Sequence, residues 1–209
     1  MFKPYKENSI NVLYNLLFCD DIDLFRLQFQ GELTGQWKEL FTKKISESSV
    51  LTIASNEKNE TRLRLSALRI LKFRAKAIAP GQILGVIIEV SLPQGLDTIA
   101  AYKDGRARYI NHSGKTIVWE ATDSVLNNRV QGLLTVSQNV VNNIGRWDKK
   151  RLPPPSGDLV RMTFLASDGL YFGQGPFEML GRDKMGGPVI IQATELMKDL
   201  INQTMNSGK

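Results

Sequence analysis

The chain has 209 residues, of which 42% are hydrophobic and 23% are charged, and its formal net charge is +6. This composition is typical of a globular protein that buries a hydrophobic core. The sequence contains no run of 18 apolar residues, which predicts the absence of a transmembrane helix. The apolar segment Ile10–Phe18 has no small-residue cleavage site after it and is followed by aspartates, so we expect no signal peptide and a cytoplasmic protein.

One cysteine and one histidine limit the chemistry that the chain can support. They cannot supply the four nitrogen or sulfur ligands of a zinc site, and no phosphate-binding or dinucleotide-binding motif is present. We therefore predict no metal site and no cofactor. Cys19 follows Leu17 and Phe18 and is predicted to be a small buried residue in a reducing compartment.

Residues 1–80 are predicted to form a helical block, because apolar residues recur there at helical spacing. The longest helix is expected over about Thr61–Ala77, and Pro80-Gly81 closes the block. Three shorter helices are predicted to begin at hydroxyl residues. The first begins at Ser9, the second follows Thr34 and ends near Ser46, and the third begins at Ser48 or Ser49.

Residues 83–120 are predicted to form four consecutive strands separated by turns, of which Asp104-Gly105 is the clearest hairpin signal. Their apolar residues do not alternate cleanly, which is typical of a sheet that is covered on both faces. The predicted strands are Ile83–Leu92, Leu96–Lys103, Arg106–Asn111 and Lys115–Glu120.

The remainder of the chain is predicted to contain a helix, a hairpin and a final helix. The first helix runs from a cap at Thr122 or Asp123 to Ile144, with Gly145 as the residue after its end. After the loop Arg146–Asp158, two strands are predicted over Leu159–Ala166 and Leu170–Gly173, and Gly175-Pro176 is expected to end their pairing. A final helix is predicted over Val189–Thr204, with Pro188 at its start.

This order predicts an α+β protein in which an antiparallel meander sheet (ββββ-α-ββ-α) packs against the N-terminal helical block. Residues 1–80 and 81–209 are expected to form one compact unit. The order of elements resembles that of type III secretion chaperones in outline. The segments GLDTIAAYKDGRARYINHSGKTIVWE and FGQGPF, at residues 95–120 and 172–177, resemble a family of bacterial cytosolic proteins. Neither resemblance implies an activity, a ligand or a catalytic residue.

Two groups of residues around the meander could carry chemistry. His112 could act as a base if Asp97 lay beside it in the fold, which would suit an enzyme or a nucleotide-binding protein. Arg106 and Arg108 are expected on one sheet face and, with Tyr102 nearby, could bind phosphates and stack a base. The same face could serve a nonspecific nucleic-acid binder, together with a basic stripe on the helix Thr61–Ala77.

The segment FGQGPF could form part of a ligand or peptide groove. Its glycines allow close approach of a backbone, while Phe172 and Phe177 would supply aromatic walls and Gln174 a polar contact. No complete set of catalytic groups assembles in the sequence. We therefore favour a non-catalytic protein- or peptide-binding module, with the enzyme and the nucleic-acid binder as alternatives.

Overall fold

The computed structural model describes residues 1–28, 34–42, 44–121 and 126–207, which form eight helices and six strands. The helices are α1 (Asn8–Leu16), α2 (Ile22–Gln28), α3 (Gly35–Leu40), α4 (Glu47–Ser55), α5 (Thr61–Phe73), α6 (Leu126–Val141), α7 (Phe177–Arg182) and α8 (Gly186–Ser207). The strands are β1 (Ile83–Leu92), β2 (Gly95–Tyr102), β3 (Ala107–Ile110), β4 (Thr116–Trp119), β5 (Leu159–Ala166) and β6 (Gly169–Pro176). No described helix is both long and apolar enough to cross a membrane.

The strands form one antiparallel sheet in the order β4-β3-β2-β1-β5-β6. β1 is central, and its Ile88 pairs with Ile99 of β2 on one side and with Met162 of β5 on the other. After the four-strand meander the chain crosses through α6 and returns beside β1. The predicted α+β class and antiparallel sheet are confirmed.

Both faces of the sheet are covered, which explains why β1 lacks clean alternation. One face packs against α6 and α8 through an apolar core that includes Val86, Ile88 and Phe164. The opposite face, which we call the N-terminal face, packs against α1 and α2 through residues such as Ile87 and Tyr102. A strand that is buried on both faces reads as a continuous apolar run.

A layer of buried polar groups lies on the N-terminal face. Glu89 of β1 has no exposed surface, and its carboxylate accepts a hydrogen bond of 2.5 Å from the Tyr14 hydroxyl. The Tyr5 hydroxyl is 2.9 Å from Thr98 Oγ1, and Thr98 pairs with Glu89 across the strands. These bonds join the N-terminal segment to the centre of the sheet.

Two buried asparagines of α1 hold the first residues of the chain. The Asn11 side chain bonds both the N–H and the carbonyl of Tyr5, and the Asn15 side chain does the same for Phe2. Each amide therefore satisfies a donor and an acceptor of a segment that has no regular secondary structure. In the sequence these asparagines look like interruptions of an apolar helix face.

Several predicted boundaries are wrong for identifiable reasons. α4 is capped by Ser46, whose Oγ accepts the Ser49 N–H at 3.0 Å, so neither Ser48 nor Ser49 begins it. α1 begins at Asn8 after Glu7, so Ser9 is not its cap. α3 ends at Leu40 instead of near Ser46. The predicted cap of α6, Thr122 or Asp123, lies outside the described residues.

The predicted end of the chain also needs correction. β6 continues through Gly175 and Pro176, which pair with Val160 and Leu159, because a proline is tolerated on an edge strand. The short helix α7 was not predicted. α8 begins at Gly186 because Asp183 Oδ1 accepts the N–H groups of Met185 and Gly186. α6 ends at Val141, so Gly145 does not directly follow it.

We expect the Glu89→Gln variant to lose part of the pH dependence of stability. Burial raises the pKa of the Glu89 carboxyl, so the folded chain holds a proton there that the unfolded chain releases above about pH 4.3. The free energy of unfolding therefore falls as the pH rises from the pKa of Glu89 in the unfolded chain to its higher pKa in the folded chain. Urea denaturation from pH 4 to 8 should give curves that converge near pH 4 and favour the variant at pH 7. Parallel curves would contradict the assignment.

We also expect Ala75→Gly to stabilise the chain by about 0.5–1 kcal/mol. Ala75 follows α5 with a φ of 56°, and the bonds Ala75 N–H to Lys72 O and Lys76 N–H to Leu71 O form a Schellman motif. A left-handed residue there favours glycine. Chemical denaturation should show the gain, while Ala77→Gly, an exposed position beyond this motif, should give none. A loss of stability for Ala75→Gly would refute the interpretation.

Candidate functional site

An apolar cavity of about 240 Å³ lies between the sheet and α8. Apolar side chains make up most of its wall. Its lining residues are Ile88, Val90, Asp97, Thr98, Ile99, Tyr109, Val160, Phe177, Ile190, Ala193, Thr194 and Met197. Concave sites that are mostly apolar and have a few polar groups are the usual ligand sites of proteins.

The secondary structure places each wall of the cavity. Residues two apart on a strand share a face, so Ile88 and Val90 of β1 both line it. On α8, Ile190, Ala193 and Met197 follow one another at spacings of three and four and form the roof. Phe177 begins α7 directly after β6 and closes the far side while remaining 48% exposed.

Asp97 is the polar centre of the site. Its carboxylate accepts hydrogen bonds from the Tyr109 hydroxyl at 2.8 Å and from the backbone N–H of His112 at 2.7 Å. His112 Nδ1 lies 3.2 Å from Asp97 Oδ1. Burial, and then the hydrogen bond to Asp97, raises the pKa of Tyr109, so this hydroxyl remains a donor at neutral pH. The predicted proximity of His112 and Asp97 is therefore present.

The arginines predicted for the same site lie elsewhere. Arg108 is 2% exposed on the N-terminal face, and its guanidinium bonds Glu120 and the carbonyl of Trp119. Arg106 bonds Asp104 and Glu120 at the opposite end of β3 from His112. Both arginines project to one side, as predicted, but their charges are paired within the fold.

Tyr102 does not contribute aromatic surface, and this prediction is wrong. Its ring is fully buried on the N-terminal face, and its hydroxyl donates to the Leu17 carbonyl at 2.8 Å. Because β2 is buried on both faces, its side chains have no solvent-exposed side in this region. Arg108 lies in the same buried environment, which lowers the pKa of its guanidinium, and the positive charge of Arg62 lowers this pKa further.

The predicted basic stripe of α5 is also largely paired. Arg62 contacts Glu60 at 2.6 Å, Lys76 contacts Glu47 at 2.8 Å, and Lys72 donates to the Asp168 carbonyl. Arg69 is exposed. Nonspecific nucleic-acid binding requires a continuous basic surface, and two of these four cations, Arg62 and Lys76, are paired with a glutamate.

The FGQGPF segment divides between the two faces of the sheet. Phe172 packs on Trp147 with ring centroids 4.8 Å apart, and Gln174 accepts hydrogen bonds from Arg161 on the N-terminal face. Phe177 lies on the other side, at the cavity. Phe172 and Phe177 therefore do not wall a single groove, and only Phe177 joins Asp97 in the site described here.

Sequence reasoning missed the part of the site that α8 supplies. Ile190, Ala193 and Met197 lie on the apolar stripe of this helix, which is indistinguishable from ordinary core packing when only the sequence is known. The Tyr109 hydroxyl reaches Asp97 because β2 and β3 pair as neighbours. No pattern in the sequence around Tyr109 predicts this contact.

No family model, curated protein or solved structure matches the chain. The described residues contain no group of three or more His, Cys, Asp or Glu side chains that could hold a metal ion. Any functional interpretation therefore depends on the geometry of the cavity and of its polar end.

We expect Asp104→Ala to lower the free energy of unfolding by about 1–2 kcal/mol, the usual cost of losing a helix cap. Asp104 Oδ2 accepts the N–H of Thr61 at 2.8 Å, which caps α5, and also binds Arg106. Chemical denaturation measures the loss, and Asp148→Ala, at an exposed loop position, should change stability by less than about 0.5 kcal/mol. Equal effects of both substitutions would contradict the capping role.

Proposed function

We propose that the chain is a non-catalytic binding module that accepts an apolar side chain of a protein or peptide partner in the cavity beneath α8. The observation that carries this proposal is the apolar cavity with the half-exposed Phe177 at its edge. A large aromatic side chain that is only partly covered, beside an unfilled apolar space, leaves hydrophobic surface for a partner to bury.

The size of the cavity supports a side chain as the occupant. Its volume of about 240 Å³ exceeds the ~150 Å³ of an engineered protein cavity that accepts benzene. It is smaller than the pockets of roughly 300–1,000 Å³ that hold drug-sized ligands. One large apolar side chain, or a short alkyl chain, matches this volume better than a nucleotide does.

Exposed apolar residues next to the cavity support a protein partner. Met179 of α7 is 69% exposed, and Ile191 of α8 is 59% exposed. Ile191 lies three residues from Thr194 of the cavity wall, so the two are neighbours on the helix surface. Exposed apolar side chains of this kind are what a partner buries at an interface.

An enzyme remains the second candidate because His112 and Asp97 lie together beside the cavity. Such a site also requires a nucleophile. The hydroxyl of Ser113 donates to Asn111 Oδ1 at 2.9 Å, and the two arginines expected here are bonded to Asp104 and Glu120. The paired histidine and aspartate are equally well explained as the hydrogen bonds that hold the turn after β3.

The test is an affinity capture from lysate, performed with and without nuclease treatment and with the tagged full chain as bait, followed by measurement of the recovered partner's affinity. Phe177→Ser removes the aromatic edge, and Ala193→Phe fills the cavity from α8. We expect each variant to weaken binding by about 10–100-fold, because burial of one large apolar side chain contributes roughly 1.5–3 kcal/mol.

Phe73→Ser is the matched control, because Phe73 is 94% exposed on α5, away from the cavity. This variant should bind the partner as the parent chain does. Circular dichroism and thermal melting verify that all three variants are folded. Unchanged affinity in both cavity variants would refute the proposal, as would recovery of nucleic acid alone that disappears after nuclease treatment.

A further inference from the structure

We infer that the partner segment bound in the cavity carries a cationic group, such as a lysine side chain, beside its apolar anchor, and that Asp97 binds this cation. The inference rests on the proposed function. Asp97 is the one charged residue among those that line the cavity, and its side chain is 21% exposed, so a ligand in the cavity can reach it.

The carboxylate of Asp97 is hydrogen-bonded, but no lysine or arginine among the described residues forms an ion pair with it. The Tyr109 hydroxyl and the His112 backbone N–H are neutral donors. The His112 ring, 3.2 Å away, is charged only when it is protonated. A carboxylate with two oxygens can accept further bonds, so a cation gains an electrostatic contact there without displacing either neutral donor.

Three cations of α8, α6 and β5 have partners other than Asp97. Lys198 of α8 contacts Glu195 at 3.1 Å, and Arg129 of α6 contacts Asp199 at 2.7 Å. Arg161 of β5 points to the N-terminal face, where it bonds Gln174. None of these three cations neutralises the carboxylate of Asp97.

The positions of Asp97 and Phe177 define the shape of the occupant. Asp97 lies on β2, and Phe177 follows β6, which is three strand intervals away in the sheet. At about 4.8 Å for each interval, the site spans roughly 14 Å. An elongated group with an apolar body and a positive end fits this arrangement, whereas an anionic end would be repelled at Asp97.

The experiment compares three ligands of equal chain length, n-hexylammonium, n-hexanol and n-hexanoate, by calorimetric titration of the full chain. We expect hexylammonium to bind about 10-fold more tightly than hexanol, and hexanoate to bind more weakly than hexanol, as a partly desolvated charged contact predicts. This comparison of the three ligands is made on the parent chain. In Asp97→Asn the preference for hexylammonium should disappear while hexanol binding stays the same.

The matched control is Asp158→Asn, which makes the same change in charge at an exposed residue outside the cavity lining and should keep the preference. Equal binding of all three ligands by the parent chain would overturn the cation inference while leaving the apolar cavity as a binding site. A preference that persists in Asp97→Asn would overturn the role of Asp97. No binding of hexanol or hexylammonium would overturn both the inference and the proposed cavity function.

Discussion

The hydrogen bond between the Tyr14 hydroxyl and the Glu89 carboxylate constrains the rest of the structure. Glu89 lies in the middle of a central strand that is buried on both faces, where an unpartnered carboxyl would be costly. α1 must therefore lie where Tyr14 reaches it. The Tyr5 and Tyr102 hydroxyls make further bonds across the same interface, to Thr98 and to the Leu17 carbonyl, and these directional contacts fix the position of the N-terminal segment on the sheet.

The two faces of the sheet differ in the kind of contact that buries them. On the N-terminal face, Glu89, Arg108 and Arg161 are buried with specific partners, and displacing a neighbour would leave a polar group unsatisfied. Against α8 the contacts are apolar and non-directional, so a gap forfeits dispersion contacts without leaving a buried charge. The cavity of the candidate site lies on this apolar side of the sheet.

The parts of the fold that depend on local patterns were predictable. Turn residues and apolar runs gave the strands of the meander, and the sharp turn at Asp104-Gly105 is present. The long-range bonds had no local signal. Asn11 and Asn15 were read as interruptions of a helix, although they hold Tyr5 and Phe2. Similarly, Asp104 was read as a turn residue, although it also caps α5 from 43 positions away. At the site, His112 and Asp97 were identified as a possible base and its carboxylate, and Phe177 was identified as a wall of a separate groove with Phe172, whereas the contribution of α8 was not identified.

The net charge of +6 is a poor guide to the partner, because part of the positive charge lies on buried side chains that a ligand does not meet. Arg108 and Arg161 are buried, and Arg151 bonds Asp20 and stacks on Phe18 with its guanidinium 3.8 Å from the ring centroid. Such cations contribute to the sum of charges but not to the surface that a ligand meets. At the candidate site the local charge is instead the carboxylate of Asp97. A partner is selected by the field at the place where it binds, so we propose a basic segment as the partner even though the net charge of the chain is itself positive.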